Sequence, residues 1–132
     1  MPNYCQNTLK IIAKDDVVKT IIDMMRGTGE DEGNLFDFNK VIPMPENIYR
    51  GAIDKEREAL YGKNNWYDWS IENWGTKWNS VDAELRENCF VFDTAWSPCS
   101  PVISKLAEMF PEARFEYWYE ELGMCFCGRI LV

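Results

Sequence analysis

The sequence predicts an α+β fold in which an antiparallel sheet is backed by helices, and three observations carry that expectation. Short runs at 7–13, 76–86, 89–96, 113–120 and 125–132 alternate apolar and polar residues, the period of half-buried strands. Two other runs, after Asp15 and after Ser97, place apolar residues three and four apart, the period of amphipathic helices. Between them, from about 35 to 74, prolines, a charged stretch and a tryptophan-rich stretch interrupt the pattern as an insertion. With 132 residues, 46% hydrophobic and 27% charged, the chain is expected to form one domain over 1–132 that buries a core without disulfide or metal staples.

The first strand is Asn7 to Ala13, with Leu9, Ile11 and Ala13 on one face and Thr8, Lys10 and Ile12 on the other. Asp15 or Asp16 can cap the helix that follows. Its stripe is Val17, Val18, Ile21, Ile22 and Met25, and Gly27 ends it. The acidic run Thr28 to Gly33 reads as a mobile loop. Leu35 to Ile42 leads into Pro43-Met44-Pro45, whose prolines forbid a central strand and leave an extended edge segment. Ile48 to Tyr61 reads as an amphipathic helix closed by Gly62. Asn65 then caps a short helix in which Trp66, Trp69 and Asn73 share a face, Asp68 sits in the first turn and Gly75 terminates it.

Thr76 to Arg86 and Cys89 to Trp96 form a hairpin about Glu87-Asn88. A two-residue turn sets Leu85, Ala83, Val81 and Asn79 opposite Phe90, Phe92, Thr94 and Trp96, and Asp82 opposite Asp93. A slip of two residues sets Glu84 there instead. Ser97-Pro98-Cys99-Ser100-Pro101 starts the second long helix, with Val102, Ile103, Leu106, Ala107 and Phe110 as its stripe and Pro111 as its stop. Ala113 to Glu120 turns Phe115, Tyr117 and Tyr119 inward. A turn at Leu122-Gly123 returns the chain as Cys125 to Val132, with Phe126, Gly128 and Ile130 opposite Tyr119, Tyr117 and Phe115 and Arg129 beside Glu116.

With the insertion set aside, the order is strand, helix, strand, strand, helix, strand and one extra strand, that of a ferredoxin-like βαββαβ sandwich. The insertion is expected to cover a sheet edge or the face opposite the helices. Several blocks also resemble a known family: Met1-Pro2-Asn3-Tyr4-Cys5 with Asn7 and Leu9, Ile42-Pro43-Met44-Pro45, Trp66-Tyr67-Asp68-Trp69, Glu72 to Trp78, and Phe92 to Pro98. In that order they resemble the YubB ferredoxin-like domain family, over nearly the whole chain, although that family typically has Trp at the position of Tyr4. The resemblance implies a ferredoxin-like fold and a phage, plasmid or integrated-element setting. It carries no catalytic residue over.

Composition narrows the function. The net charge of −8, from 22 acidic and 14 basic residues, argues against direct binding to a phosphate backbone; it suits a basic partner, with solubility as the more ordinary use of such charge. There is no histidine, which removes His-based triads and His-containing zinc sites. The N-terminus lacks a basic and apolar leader, no run is long enough to span a bilayer, and the five cysteines are odd in number. A cytoplasmic protein with reduced thiols is expected. Cys125-x-Cys127 reads as structural thiols, and no cofactor or metal is expected.

Two candidate sites remain. Asp93 with Asp82 or Glu84 is a carboxylate pair able to share a proton or hold a hard cation, unless Lys10 on the neighbouring strand neutralises it. Trp66, Trp69, Trp74, Trp78 and Trp96, with Asp68, Glu72, Asn73 and Lys77, form a possible aromatic box; core packing with Asn73 as a buried hydrogen-bonding residue is the plainer use. The expected function is a non-enzymatic interaction module of a mobile element, binding or inhibiting a host or phage protein, including one whose nucleic-acid-binding groove it occupies. The alternative is a protein that binds or sequesters a nucleotide-like or cationic small ligand.

Overall fold

In the computed structural model of the chain, residues 3–121 and 126–131 are described. The strands are β1 (Tyr4–Ile12), β2 (Val81–Arg86), β3 (Cys89–Ala95), β4 (Arg114–Glu121) and β5 (Phe126–Leu131). The helices are α1 (Asp15–Met24), α2 (Lys55–Tyr61), α3 (Trp66–Asn73) and α4 (Ser100–Met109), with short 3-10 turns at Gly29–Asp31 and Phe38–Lys40. The strands form one sheet in the order β2-β3-β1-β4-β5, with every pairing antiparallel. This is the ferredoxin-like α+β order with one strand added at the β4 edge.

One face of the sheet carries the core. Leu9, Ile11, Phe90, Phe92, Phe115 and Tyr117 alternate inward from the strands, as the pleat dictates. Ile21 and Met25 at the end of α1 and Val102, Ile103 and Leu106 of α4 close over them. The insertion joins this layer and covers neither the opposite face nor an edge alone. Phe36 stacks on Phe92 at 4.6 Å, Phe38 meets Phe36 edge-on at 5.9 Å, and Trp74 meets Phe38 edge-on at 5.5 Å. On the other face Gln6 and Glu120 are exposed, and Thr8, Lys10, Val91, Asp93, Glu116 and Trp118 are half-buried.

Several expected elements are corrected. The edge segment before Pro43 is no strand: Phe36 and Phe38 are drawn into the core and the backbone turns tightly through Phe38–Lys40. The helix expected from Ile48 is confined to Lys55–Tyr61, capped by Asp54, whose side chain accepts from the Arg57 N–H at 2.8 Å. Upstream, Tyr49 bridges to Asn65, and the Trp66 N–H donates to the Tyr49 carbonyl at 2.7 Å. Gly51 fits there because a Cβ would collide with the Tyr49 ring. Asp15 and Asp16 lie in the first turn of α1, and Lys14 stands at the cap position without a side-chain bond. Cys99, and not Ser97, precedes α4.

β2 begins at Val81 and not at Thr76, because Asn79 and Ser80 turn their side chains to the 34–38 loop. Leu85 faces Phe90 as expected, but a bulge after Val81 sets Val81, in place of Asp82, opposite Asp93. Asp82 has φ 52° at that bulge. Glu84 pairs with Val91. Lys10 aligns with Cys89 and Glu116, whereas Gln6 faces Asp93, so Lys10 does not neutralise Asp93. β5 pairs two residues away from the expected register, with Tyr119 opposite Gly128 and Tyr117 opposite Ile130. A slip of two keeps each residue on its face, and Arg129 still reaches Glu116 at 3.9 Å. The Leu122-Gly123 turn, Cys125 and the Cys127 side chain lie outside the described residues.

Candidate functional site

Helix α3 is the element from which the site is built. Asn65 caps it: its Oδ1 accepts from the Asp68 N–H at 2.9 Å, and its Nδ2 donates to the Gly62 carbonyl and to Asp68 Oδ2. Residues four apart share a helical face, so Trp66, Ser70 and Trp74 line one side and Tyr67 and Ile71 another. Gly75 stops the helix at φ 79°, where a Cβ would also meet the Pro101 ring. Trp74 is buried, donates from its indole N–H to the Ile42 carbonyl at 2.8 Å, and packs edge-on with Trp69 at 5.1 Å.

The tryptophan stretch is therefore divided and does not close into a single box. Trp69 and Trp74 pack with the core. Trp66 is half-buried, and its indole N–H donates to the Gly51 carbonyl. Asn73 is half-buried and donates to the Trp69 carbonyl. Lys77 lies 4.6 Å over the Trp78 ring. Trp96 is exposed and has φ 71°. Asp68 and Glu72 lie on the outer side of α3, in a concavity with Lys63, Tyr67 and Ile71.

On the inner side, Trp66 and Trp74 meet residues drawn from distant stretches of the chain. A concavity of about 430 Å³ is lined by Glu30, Asp31, Asn39, Met44, Arg50, Trp66, Trp74 and Asn79. It adjoins another of about 460 Å³, which shares Glu30 and Asp31 and adds Glu32 and Asp82. A polar latch holds its floor. Asp37 is buried, and its Oδ1 accepts from the Asn39 N–H, Asn39 Nδ2 and Asn79 Nδ2. Asn79 Oδ1 in turn accepts from the Phe38 and Ser80 N–H groups at 2.9 Å. Arg50 folds its guanidinium onto the carbonyls of Met44, Pro45, Glu46 and Ile48 and fixes the far wall.

Carboxylates outnumber cations along the groove, with Glu30 and Asp31 against Arg50 in the first concavity and Glu30, Asp31, Glu32 and Asp82 in the second. Burial, then the nearby Asp37 carboxylate, push the Asp31 carboxyl above its ordinary range against the hydrogen bonds from Asn79 and Asn39. Among the described residues, ion pairs join Arg26 to Asp23, Arg57 to Glu56, Arg86 to Glu84, Lys105 to Glu108 and Arg129 to Glu116. None reaches Glu30, Asp31, Glu32 or Asp82. The second predicted pair keeps its through-space coupling: burial, then Asp82, raise the Asp93 carboxyl. Among the described residues no group of three or more Asp, Glu or Cys side chains is disposed to hold a metal ion.

A buried polar chain lies beneath the sheet. Asn7 Nδ2 donates to the Cys5 and Phe92 carbonyls and to Thr94 Oγ1. The Tyr117 hydroxyl donates to Asn7 Oδ1 and accepts from the Cys99 N–H at 3.1 Å. Burial pushes the Cys5 thiol up to about 11 and the Cys99 thiol up to about 12, so neither is a thiolate nucleophile at neutral pH. This chain ties α4 to β1, β3 and β4.

The sheet order, its helix-covered face and its open face define a ferredoxin-like α+β protein. Comparison with known families agrees: residues 73–132, which hold β2 to β5 and α4, match the family model described as the ferredoxin-like domain in Api92-like protein. No curated protein and no solved structure matches the chain. No helix among the described residues is long and apolar enough to cross a membrane.

Proposed function

We propose that the protein is a non-enzymatic interaction module that binds a basic protein partner through the acidic groove beside α3. The observation that carries this reading is the row Glu30, Asp31, Glu32 and Asp82, which has no ion-pair partner among the described residues and borders two adjoining concavities. Carboxylates in a partly dry cleft focus negative potential and steer a cationic surface into it. A DNA-binding protein of a host or phage offers such a surface, and occupying its groove would inhibit it. The YubB resemblance adds the phage or plasmid setting, and a place in the host cytoplasm belongs to the same proposal.

Titration of the whole chain with a lysine-rich peptide tests it. Binding is expected to weaken about tenfold or more between low and high salt, and the Glu30→Gln/Asp31→Asn double variant to lose most of it. A control that removes the same charge from α1, Asp15→Asn/Asp16→Asn, is expected to keep it. Equal loss in both variants, or binding indifferent to salt, overturns the reading.

A second reading, a small cationic or nucleotide-like ligand, is favoured by the Trp66 wall and by a volume within the ordinary range of small-molecule sites. Under it a free quaternary ammonium ion changes tryptophan fluorescence at constant ionic strength. Under the first reading only a polycation binds.

A further inference from the structure

The outer half of the insertion exposes apolar side chains that the core does not use. Of the nine exposed large apolar side chains among the described residues, five fall between Ile53 and Ile71: Ile53, Leu60, Tyr61, Tyr67 and Ile71. Helix α2 has no buried residue, and seven residues are too few to hold a helix in water alone. It is held by the Asp54 cap and by Tyr61, which stacks on Tyr49 at 4.5 Å. Its Leu60 is 69% exposed. Directly after it, the outer face of α3 carries the concavity of about 370 Å³ lined by Lys63, Tyr67, Asp68, Ile71 and Glu72. Exposed apolar side chains concentrated in one stretch of the chain, with an ionic rim beside Tyr67 and Ile71, mark an interaction surface.

We propose that this outer face of α2 and α3 docks a basic amphipathic segment of a protein partner, its apolar side chains seated against Tyr67 and Ile71 and its cations against Glu72 and Asp68. Charge selects the occupant. Residues 53–72 hold five acidic side chains (Asp54, Glu56, Glu58, Asp68 and Glu72) and three basic ones (Lys55, Arg57 and Lys63). A second copy would bring this acidic rim against itself, and an anionic lipid surface would be repelled by it. A basic amphipathic helix meets both the apolar floor and the rim. Consecutive residues of α3 line the two, Trp66 the inner groove and Tyr67 the outer concavity. The basic character of the partner rests on the function proposed above, whereas the apolar preference is separate from it.

The test uses the whole chain and two peptides of leucine and lysine with the same composition. One has its leucines at helical spacing, and the other is scrambled so that no apolar face forms. The amphipathic peptide is expected to bind about tenfold more tightly, a difference of about 1.4 kcal/mol. The Tyr67→Ser/Ile71→Ser double variant, checked for an unchanged unfolding temperature, is expected to lose that preference while still binding both peptides in a salt-dependent manner. The Glu30→Gln/Asp31→Asn variant is expected to bind both more weakly and keep the preference. Failure of the groove alone would instead leave Glu30→Gln/Asp31→Asn binding both peptides as tightly as the native chain, with the preference for the amphipathic one intact. Equal binding of the two peptides to the native chain, or a preference that survives Tyr67→Ser/Ile71→Ser, overturns the docking surface. So does concentration-dependent dimerisation of the native chain that Leu60→Ser abolishes, which would assign the face to a second copy.

Discussion

Asn7 and Tyr117 show how single side chains settle the polar interior. Asn7 sits on the inward face of a strand, where an amide is costly unless its donors and acceptor are met. Its Nδ2 finds Cys5, Phe92 and Thr94, and its Oδ1 takes the Tyr117 hydroxyl. Asp93 is the opposite case. Its carboxyl is raised, by burial first and then by Asp82, so the folded chain holds that proton more tightly than the unfolded one. Its contribution to stability is therefore present below the unfolded value and is lost as pH rises through the folded one. At neutral pH the ionised group works against the fold. Asp93→Asn is expected to raise the unfolding temperature at neutral pH, with the gain vanishing in acid where the native carboxyl is protonated. Melting curves at the two pH values check this, and a gain that persists in acid would assign the effect to packing.

Local signals in the sequence located the elements that local chemistry governs. Asn65 and Asp68 announced the start of α3, Gly75 its end and Pro111 the stop of α4, because caps and breakers act within a turn of the chain. The start of β2 was not legible, because Asn79 and Ser80 are committed to residues 41 to 46 positions away. An Asn-Ser pair inside a run read as a strand was the one warning, since asparagine is depleted in strands. The groove was hidden for the same reason: Glu30 and Asp31 read as a loop, and nothing nearby in sequence says that they face Trp66. Gly75 offers a test at this scale. Its φ of 79° disfavours any side chain, and a Cβ would meet Pro101 Cδ at 2.8 Å. Gly75→Ala is expected to cost about 1–2 kcal/mol or more, read as a lower denaturant midpoint with an unchanged slope.

Across the molecule, the insertion has two halves with different duties. The inner half carries Phe36, Phe38 and Trp74 into the core shared with Phe90 and Phe92, whereas the outer half leaves Leu60, Tyr67 and Ile71 in solvent. The insertion's side of the sheet was not legible from the run of prolines and tryptophans, since either face would accept the same aromatic residues. Removing the Phe36 ring leaves a cavity beneath β3, and such losses cost about 3–5 kcal/mol out of a total of about 5–15 kcal/mol. Phe36→Ala is therefore expected to lower the unfolding temperature by about 10–20 °C. Leu60→Ser, at an exposed position, is expected to shift stability by no more than about 0.5 kcal/mol. Thermal unfolding of the two variants side by side decides whether the division is real. If Leu60→Ser destabilises the chain as strongly as Phe36→Ala, α2 belongs to the folding core, and its apolar side chains are not held out for a partner.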